Sequence, residues 1–322
     1  MAVELSYCVV NTSARAHLLR CLEAIERTHP RALEHEVVVL DNASGDGSVD
    51  AVRRRPRIRL IARDRRAGLA ENYTILLREA RGGFCLLLNE DTELADGAPA
   101  TLLAALRECP DAAVAGPQLM GPAGDLVPCA WRLPSPAAAL AQAIGLHRRR
   151  VVESGRGPNP VEVGWVQSAA MLVRRDAAAA VRYLDPSFFL YSEEVDFQKR
   201  LHDAGWKVIH VPAARALHHQ QLRNDRSAGA RRIVEFHRGR DAYMRKHHAL
   251  PAVLACRALW AWWYVMRAPV SLFRPGQGAR AYLRHARLAL RPQSGGEGMA
   301  EAAEAYNRRL ASAQALAARA GR

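Results

Sequence analysis

The sequence lacks the glycine-rich motifs with which many α/β proteins bind phosphate groups. None of its 22 glycines belongs to a G-x-G-x-x-G or a G-x-x-x-x-G-K pattern. A dinucleotide-dependent oxidoreductase or a P-loop ATPase would therefore have no phosphate cradle in this chain. Acidic residues follow the predicted strands instead, and carboxylates hold a nucleotide diphosphate only when a divalent cation lies between them.

Cysteine is also scarce, and no two of the six cysteines form a C-x-x-C pair. Several lie in apolar runs, so we interpret them as small core residues in a reducing compartment. They predict neither a zinc site nor a disulfide framework. The first residues lack an apolar run preceded by Lys or Arg, and we therefore expect no signal peptide.

Excess positive charge is absent from the first two thirds of the chain and concentrated in the last third. The net charge is +14; residues 223–322 hold 19 Lys and Arg against 6 Asp and Glu, which gives +13. Such a segment predicts an anionic partner, either membrane phospholipid or nucleic acid. The chain has no known nucleic-acid-binding motif, and its aromatic residues do not alternate with basic ones. A nucleic-acid-binding protein is therefore the less favoured alternative.

Short apolar runs alternate with amphipathic segments over the first 120 residues. We predict strands at 5–10, 36–40, 58–62, 84–88 and 112–116, and helices at 16–25, 69–80 and 99–109. This alternation is typical of a mostly parallel sheet that helices cover on both faces. The predicted fold class is α/β.

The later part of the chain divides into three regions. Residues 121–160 are rich in Gly, Pro and Ala and predict a long excursion, whereas 163–175 and 206–212 predict further strands. We expect a catalytic domain at 1–232, with a nucleotide half at about 1–120 and an acceptor half at about 160–232. A basic, Trp-rich helical extension follows at 233–322.

The apolar run at 250–273 contains three tryptophans and is long enough to span a bilayer. Arg257 and Arg267 interrupt it, and a charged residue at the bilayer centre costs about 2.5–3.5 kcal/mol or more. A helix that lies in the membrane interface fits this pattern better. A core helix packed on the catalytic domain and a true span remain alternatives.

Polar residues follow two of the predicted strands directly. Asp41 and Asn42 follow the second strand, and Asn89, Glu90 and Asp91 follow the strand at 84–88. Ligands of parallel sheets bind beyond the carboxyl ends of the strands, so both groups should open into one crevice. Asn89, Glu90 and Asp91 offer hard oxygen ligands for Mg²⁺ or Mn²⁺. An Asx turn at Asp41 and a helix cap at 89–91 are the structural alternatives.

A third acidic group follows the apolar run Phe188–Leu190. Glu193, Glu194 and Asp196 lie within four positions, although like charges repel and apolar surroundings disfavour ionisation. Acidic residues are common in the first turn of a helix, where the dipole stabilises them. The alternative is a catalytic base. Asp196 also has the i,i+4 spacing for an ion pair with Arg200.

Taken in order, these segments resemble the family 2 glycosyltransferases, in particular the bacterial rhamnosyltransferase-like branch, over about residues 5–247. The segments that carry the resemblance are LDNASGDGS, RRAGLAENYTI, LLLNEDTEL, VQSAAMLVRRDA and LDPSFFLYSEEVDFQKRLHDAGWKVIHVP. The resemblance implies a GT-A fold, a nucleotide-sugar donor and inversion at the anomeric carbon by a single displacement.

The resemblance also implies roles for individual residues. Glu194 stands at the position of the catalytic base, with Glu193 as its acidic neighbour. Asp91 would bind Mg²⁺ or Mn²⁺, with Glu90 and either His218 or His219 near it. The remaining positions would line the pockets: Asp41, Asn42, Gly68, Asn72 and Asn89 for the nucleotide, and Ala169, Ala170, Trp165 and Asp196 for donor and acceptor. The alternative to a pocket role is a core position for Trp165 and a structural role for Asp196.

The function that follows from the resemblance is metal-dependent, inverting transfer of a sugar to a glycan or lipid-linked precursor. We expect a dTDP- or UDP-sugar as donor, with rhamnose as the first sugar to test. The basic extension would hold the protein on the anionic inner face of a bacterial plasma membrane. Glu194 stands where the family usually has Asp, and a homologue that binds sugar nucleotides without turnover is therefore an alternative.

Overall fold

The structure, a computed structural model, describes residues 3–155, 157–219, 229–271 and 278–320. Within these ranges it has eleven strands: β1 (Leu5–Asn11), β2 (His35–Asp41), β3 (Ile58–Ala62), β4 (Phe84–Asn89), β5 (Thr92–Leu94), β6 (Ala112–Met120), β7 (Ala130–Trp131), β8 (Val161–Glu162), β9 (Trp165–Val166), β10 (Ala170–Arg174) and β11 (Lys207–His218). Nine of them form one sheet in the order β3-β2-β1-β4-β10-β6-β11-β5, with β8 also on β11, and β7 pairs with β9.

Strands β3, β2, β1 and β4 run parallel to one another, as do β6 and β11. Strand β10 lies between β4 and β6 and is antiparallel to both. The carboxyl ends of β1, β2 and β4 therefore meet at one edge of the sheet, where the predicted polar groups lie. The sheet is mixed and mostly parallel, which confirms the predicted fold class.

The helices of the described residues cover both faces of the sheet and then form the extension. They are α1 (Arg15–Thr28), α2 (Ser48–Arg53), α3 (Leu69–Glu79), α4 (Ala98–Glu108), α5 (Pro136–Ala143), α6 (His147–Arg150), α7 (Arg175–Ala180), α8 (Glu193–Asp203), α9 (Gly229–His247), α10 (Leu250–Val270), α11 (Ala279–Leu290) and α12 (Met299–Ala320). Along β1, Tyr7 and Val9 pack toward α1 and α4, whereas Cys8 and Val10 pack toward α3 and α8. Burial on both faces explains why the strands read as continuous apolar runs.

Each predicted strand and helix of the first 120 residues is present, with ends that differ by a few residues. Helix α2 was missed, because the glycines around Asp46 predict a turn and only six residues follow in the helix. The predicted strand at 163–175 is divided into β9 and β10. Its break has a physical cause: the backbone N–H and C=O of Val166 both bond to the side chain of Gln198. The excursion at 121–160 contains β7, α5 and α6.

The extension is joined closely to the catalytic part. Helix α9 crosses the predicted boundary at residue 232 and packs on the segment before α8, where a Cβ on Gly239 would lie 2.4 Å from the Tyr191 carbonyl oxygen. One face of α10 is buried, including Cys256 and Trp260, as the core-helix alternative requires. Residues 272 and 273 of the predicted apolar helix lie outside the described residues. No helix in the described part of the chain is both long enough and apolar enough to cross a bilayer.

Candidate active site

Asp91 and His218 form the first part of the site. Strand β5 begins just after Asp91, and its antiparallel pairing places His218 opposite Thr92. The His218 Nε2 atom therefore lies 3.3 Å from Asp91 Oδ1, and both side chains are at least nine-tenths buried. His219 points elsewhere, with its Nε2 atom 2.6 Å from Glu93 Oε1. Of the two predicted histidines, His218 is the one that the structure places beside Asp91.

These residues fit a divalent cation held jointly with a ligand. A carboxylate and an imidazole are both ligands for Mn²⁺, and the carboxylate also suits Mg²⁺. Within the described ranges no group of three or more His, Cys, Asp or Glu side chains could hold a metal on its own. Burial, and then the neighbouring Asp91 carboxylate, raise the pKa of Glu90 to about 8.

The loop after β2 is held together by its own side chains. Asp41 accepts hydrogen bonds from Asn11 Nδ2 at 2.7 Å and from the Ser44 backbone N–H at 2.8 Å. The Asn42 side chain accepts from the Ala67 N–H at 2.8 Å and donates to the Ala67 carbonyl oxygen at 3.0 Å. Asp41 and Asn42 therefore shape the edge of the crevice, and their direct contact with a nucleotide stays a prediction.

Gly68 and Asn72 lie at the start of α3, across from this loop. A Cβ on Gly68 would lie 2.6 Å from the Phe189 carbonyl oxygen, so only glycine permits the approach of the segment that leads to α8. Asn72 Oδ1 accepts from Arg63 Nη1 at 2.7 Å, and Asn89 Oδ1 accepts from the Tyr73 hydroxyl at 2.9 Å. These side chains join the loops that surround the crevice.

Glu193 and Glu194 form the second part of the site. Ser192 has a left-handed backbone with φ +69°, and the two glutamates occupy the first turn of α8. The predicted helix start and the predicted base are thus the same residues. Both are buried, and among the described residues their Oε2 atoms have no hydrogen-bond partner.

Burial controls the ionisation of this pair. It raises the pKa of Glu194 to about 7, and backbone N–H groups of the first helical turn limit that rise. Burial raises the pKa of Glu193 well above its ordinary value, and the neighbouring Glu194 charge raises it further. A carboxylate with a pKa near the working pH accepts a proton efficiently and is present in its basic form.

Tyr73 interacts with both parts of the site. Its hydroxyl donates to Asn89 Oδ1, beside the β4 carboxylates. Burial raises the pKa of this phenol well above its ordinary value, and carboxylates of both parts, Glu90 and Glu193 among them, raise it further. Carboxylates at the end of β4 and at the start of α8 therefore both act on Tyr73.

Other predicted residues have structural contacts. Asp196 is fully buried and binds the side chains of Arg200, Lys246 and His247 at 2.8–2.9 Å. The expected i,i+4 pair with Arg200 is confirmed. Trp165 stacks on Trp131 with ring centroids 4.4 Å apart, next to the core. Ala169 and Ala170 are fully buried where β10 begins, next to Asn89.

Sequence reasoning missed several residues of the crevice. Asn11, the partner of Asp41, directly follows an apolar run, so the signal that found the other strand-end residues was available. Arg66 donates from its Nη2 atom to Ser13 Oγ at 2.9 Å. Tyr306 and Asn307 contact the same region from α12. Nothing in the sequence links them to residues more than 240 positions earlier.

Several known proteins are similar to this chain. Residues 6–135 match the model of the family described as glycosyl transferase family 2. Over this part the chain is similar to this family. It is 29% identical over 284 residues to the N-acetylglucosaminyl-diphospho-decaprenol L-rhamnosyltransferase of Mycobacterium tuberculosis, a match that covers 81% of this chain and 86% of the relative.

Solved glycosyltransferases share its fold. A mannosyltransferase from Pyrobaculum calidifontis, in complex with GDP-Man and Mn²⁺, is 17% identical with a TM-score of 0.56, and the match covers 98% of this chain and 81% of the other. GalNAc-T7 with UDP, GalNAc and Mn²⁺ is 15% identical with a TM-score of 0.56; 89% of this chain matches 54% of that longer one. The chain thus shares the fold of these glycosyltransferases, the predicted GT-A fold.

Proposed function

We propose that this protein is a family 2 glycosyltransferase that transfers a sugar, with rhamnose as the first candidate, from a dTDP- or UDP-sugar to a lipid-linked glycan precursor. The mycobacterial relative, named as a rhamnosyltransferase for a lipid-linked acceptor, aligns with most of the chain and supports this choice. The observation that supports the proposal is the position of Tyr73. Carboxylates from both parts of the site, Glu90 and Asp91 at the end of β4 and Glu193 at the start of α8, raise the pKa of its buried phenol.

In the proposed reaction Glu194 accepts the proton of an acceptor hydroxyl, because a neutral hydroxyl is a poor nucleophile. The acceptor oxygen bonds to the anomeric carbon while the bond from that carbon to the diphosphate oxygen breaks, and the diphosphate leaves with the electron pair. A single displacement of this kind inverts the anomeric configuration. Glu193, beside Glu194, would orient the acceptor.

Asp91 and His218 would hold Mg²⁺ or Mn²⁺ together with the diphosphate. The cation, when bound, neutralises the negative charge that develops on the leaving group. The Asp91 carboxylate would otherwise repel a diphosphate. This repulsion gives a physical reason for metal dependence.

Thermal unfolding in the presence of nucleotides tests this proposal. The protein is scanned with dTDP, UDP and GDP and with their sugars, each with Mn²⁺ and then with EDTA. A ligand at 100 times its Kd adds about 2.7 kcal/mol of stability. We expect stabilisation by one nucleotide series, and only with the metal; no stabilisation by any of them would refute the proposed donor site.

We further propose that the protein works as a peripheral protein on the anionic inner face of a bacterial plasma membrane. Helix α10 packs between α5 and α11, and its outward stripe at i,i+4 spacing is apolar. The side chains of this stripe are Leu250, Leu254, Ala258, Trp262 and Met266. Large apolar side chains are also exposed on the neighbouring elements: Leu140 on α5, Ile144 directly after it, and Leu283 and Leu290 on α11.

Basic residues border this apolar surface, as an anionic membrane requires. Arg148, Arg149 and Arg150 on α6 are exposed, and so is Arg267 beside the stripe. Interfacial helices combine an apolar face with Lys and Arg in this way. The proposed membrane surface is therefore formed by α5, α6, α10 and α11.

Liposome flotation tests the membrane surface. The double variant Trp262→Ser with Met266→Ser should lower binding to vesicles that contain phosphatidylglycerol by about tenfold or more, since each removes exposed apolar area. Leu316→Ser, at an exposed position of α12, is the matched control and should bind the vesicles as the wild type does. Equal binding of all three proteins would contradict the assignment of this surface.

A further inference from the structure

Helix α12, the last helix of the described residues, contacts the loops that border the predicted nucleotide pocket. The side-chain amide of Asn307 forms two hydrogen bonds with the backbone of Arg66. Its Oδ1 atom accepts from the Arg66 N–H at 2.7 Å, and its Nδ2 atom donates to the Arg66 carbonyl oxygen at 2.9 Å. This pairing fixes the loop between β3 and α3 as a strand partner would.

Tyr306, the preceding residue, fixes the next loop. Its hydroxyl donates to the Ala43 carbonyl oxygen at 3.0 Å, and its ring lies 3.6 Å from the Arg66 guanidinium carbon. Ala43 has φ +55°, a conformation that is strained for alanine and needs support from its surroundings. Arg66 in turn reaches Ser13, so loops after β1, β2 and β3 all meet at α12.

The helix is itself anchored on α9. The Glu235 carboxylate accepts hydrogen bonds from the Met299 and Ala300 N–H groups, which caps the start of α12. Arg238 of α9 pairs with Glu301 at 2.6 Å. Since α9 also binds Asp196 of α8 through His247, the same helix links α12 to the element that carries Glu194.

We propose that Tyr306 and Asn307 are positioning residues for the donor nucleotide. They fix Ala43 and Arg66, and the Asn42–Ala67 pair transmits this constraint to the loop that begins at Asp41. The inference rests on the proposed function, because it assumes that these loops bind the nucleotide. A positioning role predicts weaker donor binding with an unchanged acceptor KM.

Four variants separate the contacts. Asn307→Ala removes both hydrogen bonds to Arg66, Tyr306→Phe removes only the bond to Ala43, and Tyr306→Ala also removes the ring beneath Arg66. Gln314→Ala, at an exposed position of α12, is the control. From the usual value of a hydrogen bond we expect about a tenfold rise in the Kd of dTDP or UDP with Mn²⁺ for Asn307→Ala, and about fivefold for Tyr306→Phe.

Titration calorimetry gives the Kd, and steady-state kinetics give the KM of donor and acceptor separately. Tyr306→Ala should bind the nucleotide more weakly than Tyr306→Phe does. Gln314→Ala should bind it with the Kd of the wild type. A rise of the acceptor KM equal to that of the donor KM would contradict a specific effect on the nucleotide loops.

Hydrogen exchange without nucleotide provides a second measurement that does not depend on activity. Amides at 42–47 and 63–68 should exchange faster in Asn307→Ala than in the wild type. A folded Asn307→Ala protein with wild-type exchange and wild-type Kd would overturn this inference alone. A wild-type protein that binds neither nucleotide would overturn the proposed function, and this inference with it.

Discussion

Replacement of Glu194 by glutamine should stabilise the fold at neutral pH although it removes the proposed base. The substitution keeps the size of the side chain and removes its charge. The carboxylate is buried at the start of α8, and among the described residues its Oε2 atom has no hydrogen-bond partner. Folding therefore opposes ionisation of Glu194, and a neutral amide avoids that penalty.

The size of the effect follows from the pKa of Glu194, which folding raises from 4.5 to about 7. Between these two pH values the folded protein keeps a proton that the unfolded chain releases, so its stability falls as the pH rises. The penalty is about 1 kcal/mol at pH 5 and about 3 kcal/mol at pH 8. The stability difference between Glu194→Gln and the wild type should therefore grow by about 2 kcal/mol over this range.

Urea unfolding at pH 5 and pH 8, followed by tryptophan fluorescence, measures this difference. Loss of the Glu194 charge also removes its repulsion of the Glu193 carboxylate, whose pKa that charge raises. This effect also stabilises the variant relative to the wild type. Glu108→Gln, at an exposed position of α4, is the matched control and should show no such trend. A variant that is less stable than the wild type at pH 8 would refute the reasoning, because a favourable partner of the carboxylate would then exist.

Three further predictions concern activity, metal and backbone. The transfer rate should rise about tenfold per pH unit below pH 7 and level off above it, since Glu194 must be ionised to act; a flat profile from pH 5.5 to 8 contradicts this role. Asp91→Asn should abolish stabilisation by nucleotide with Mn²⁺, whereas the exposed control Asp96→Asn should retain it, as thermal scans will show. Gly68→Ala should cost about 1–3 kcal/mol in urea unfolding because its Cβ meets the Phe189 backbone; Gly83→Ala, with open space around it, should cost nothing.

The sheet could be predicted from sequence because burial on both faces leaves a local signal. Each parallel strand is a run of apolar residues that ends in polar ones, as β2 and β4 show. The sequence contains no such signal for the direction of β10, since a buried strand has the same composition in either orientation. The break before it depends on Gln198, which is more than 30 positions away.

The site could be predicted only in part, and for the same reason. Asp196 and Arg200 are four residues apart on one helix, so spacing alone predicted their ion pair. Lys246 and His247 complete that cluster from α9, and sequence spacing contains no information on such contacts. The contact between Asn307 and Arg66 is of this second kind.

The resemblance to the family predicted which residues to examine, and the structure adds how they are held. Asp41 was expected at the nucleotide, yet Asn11 and Ser44 already engage both of its carboxylate oxygens. A direct role for Asp41 therefore requires that its oxygens accept further hydrogen bonds, which a carboxylate can do.

A transfer assay tests the central claim most directly. Purified protein is incubated with dTDP-rhamnose or UDP-sugars and a polyprenyl-diphosphate-linked N-acetylglucosamine in Mn²⁺ or EDTA, and the product is identified by mass spectrometry. We expect a glycosylated lipid product only with the metal, and a rate lower by about 10²–10⁴-fold for Glu194→Gln, the usual contribution of a general base. No product with any donor, or equal rates for the variant and the wild type, would contradict the account.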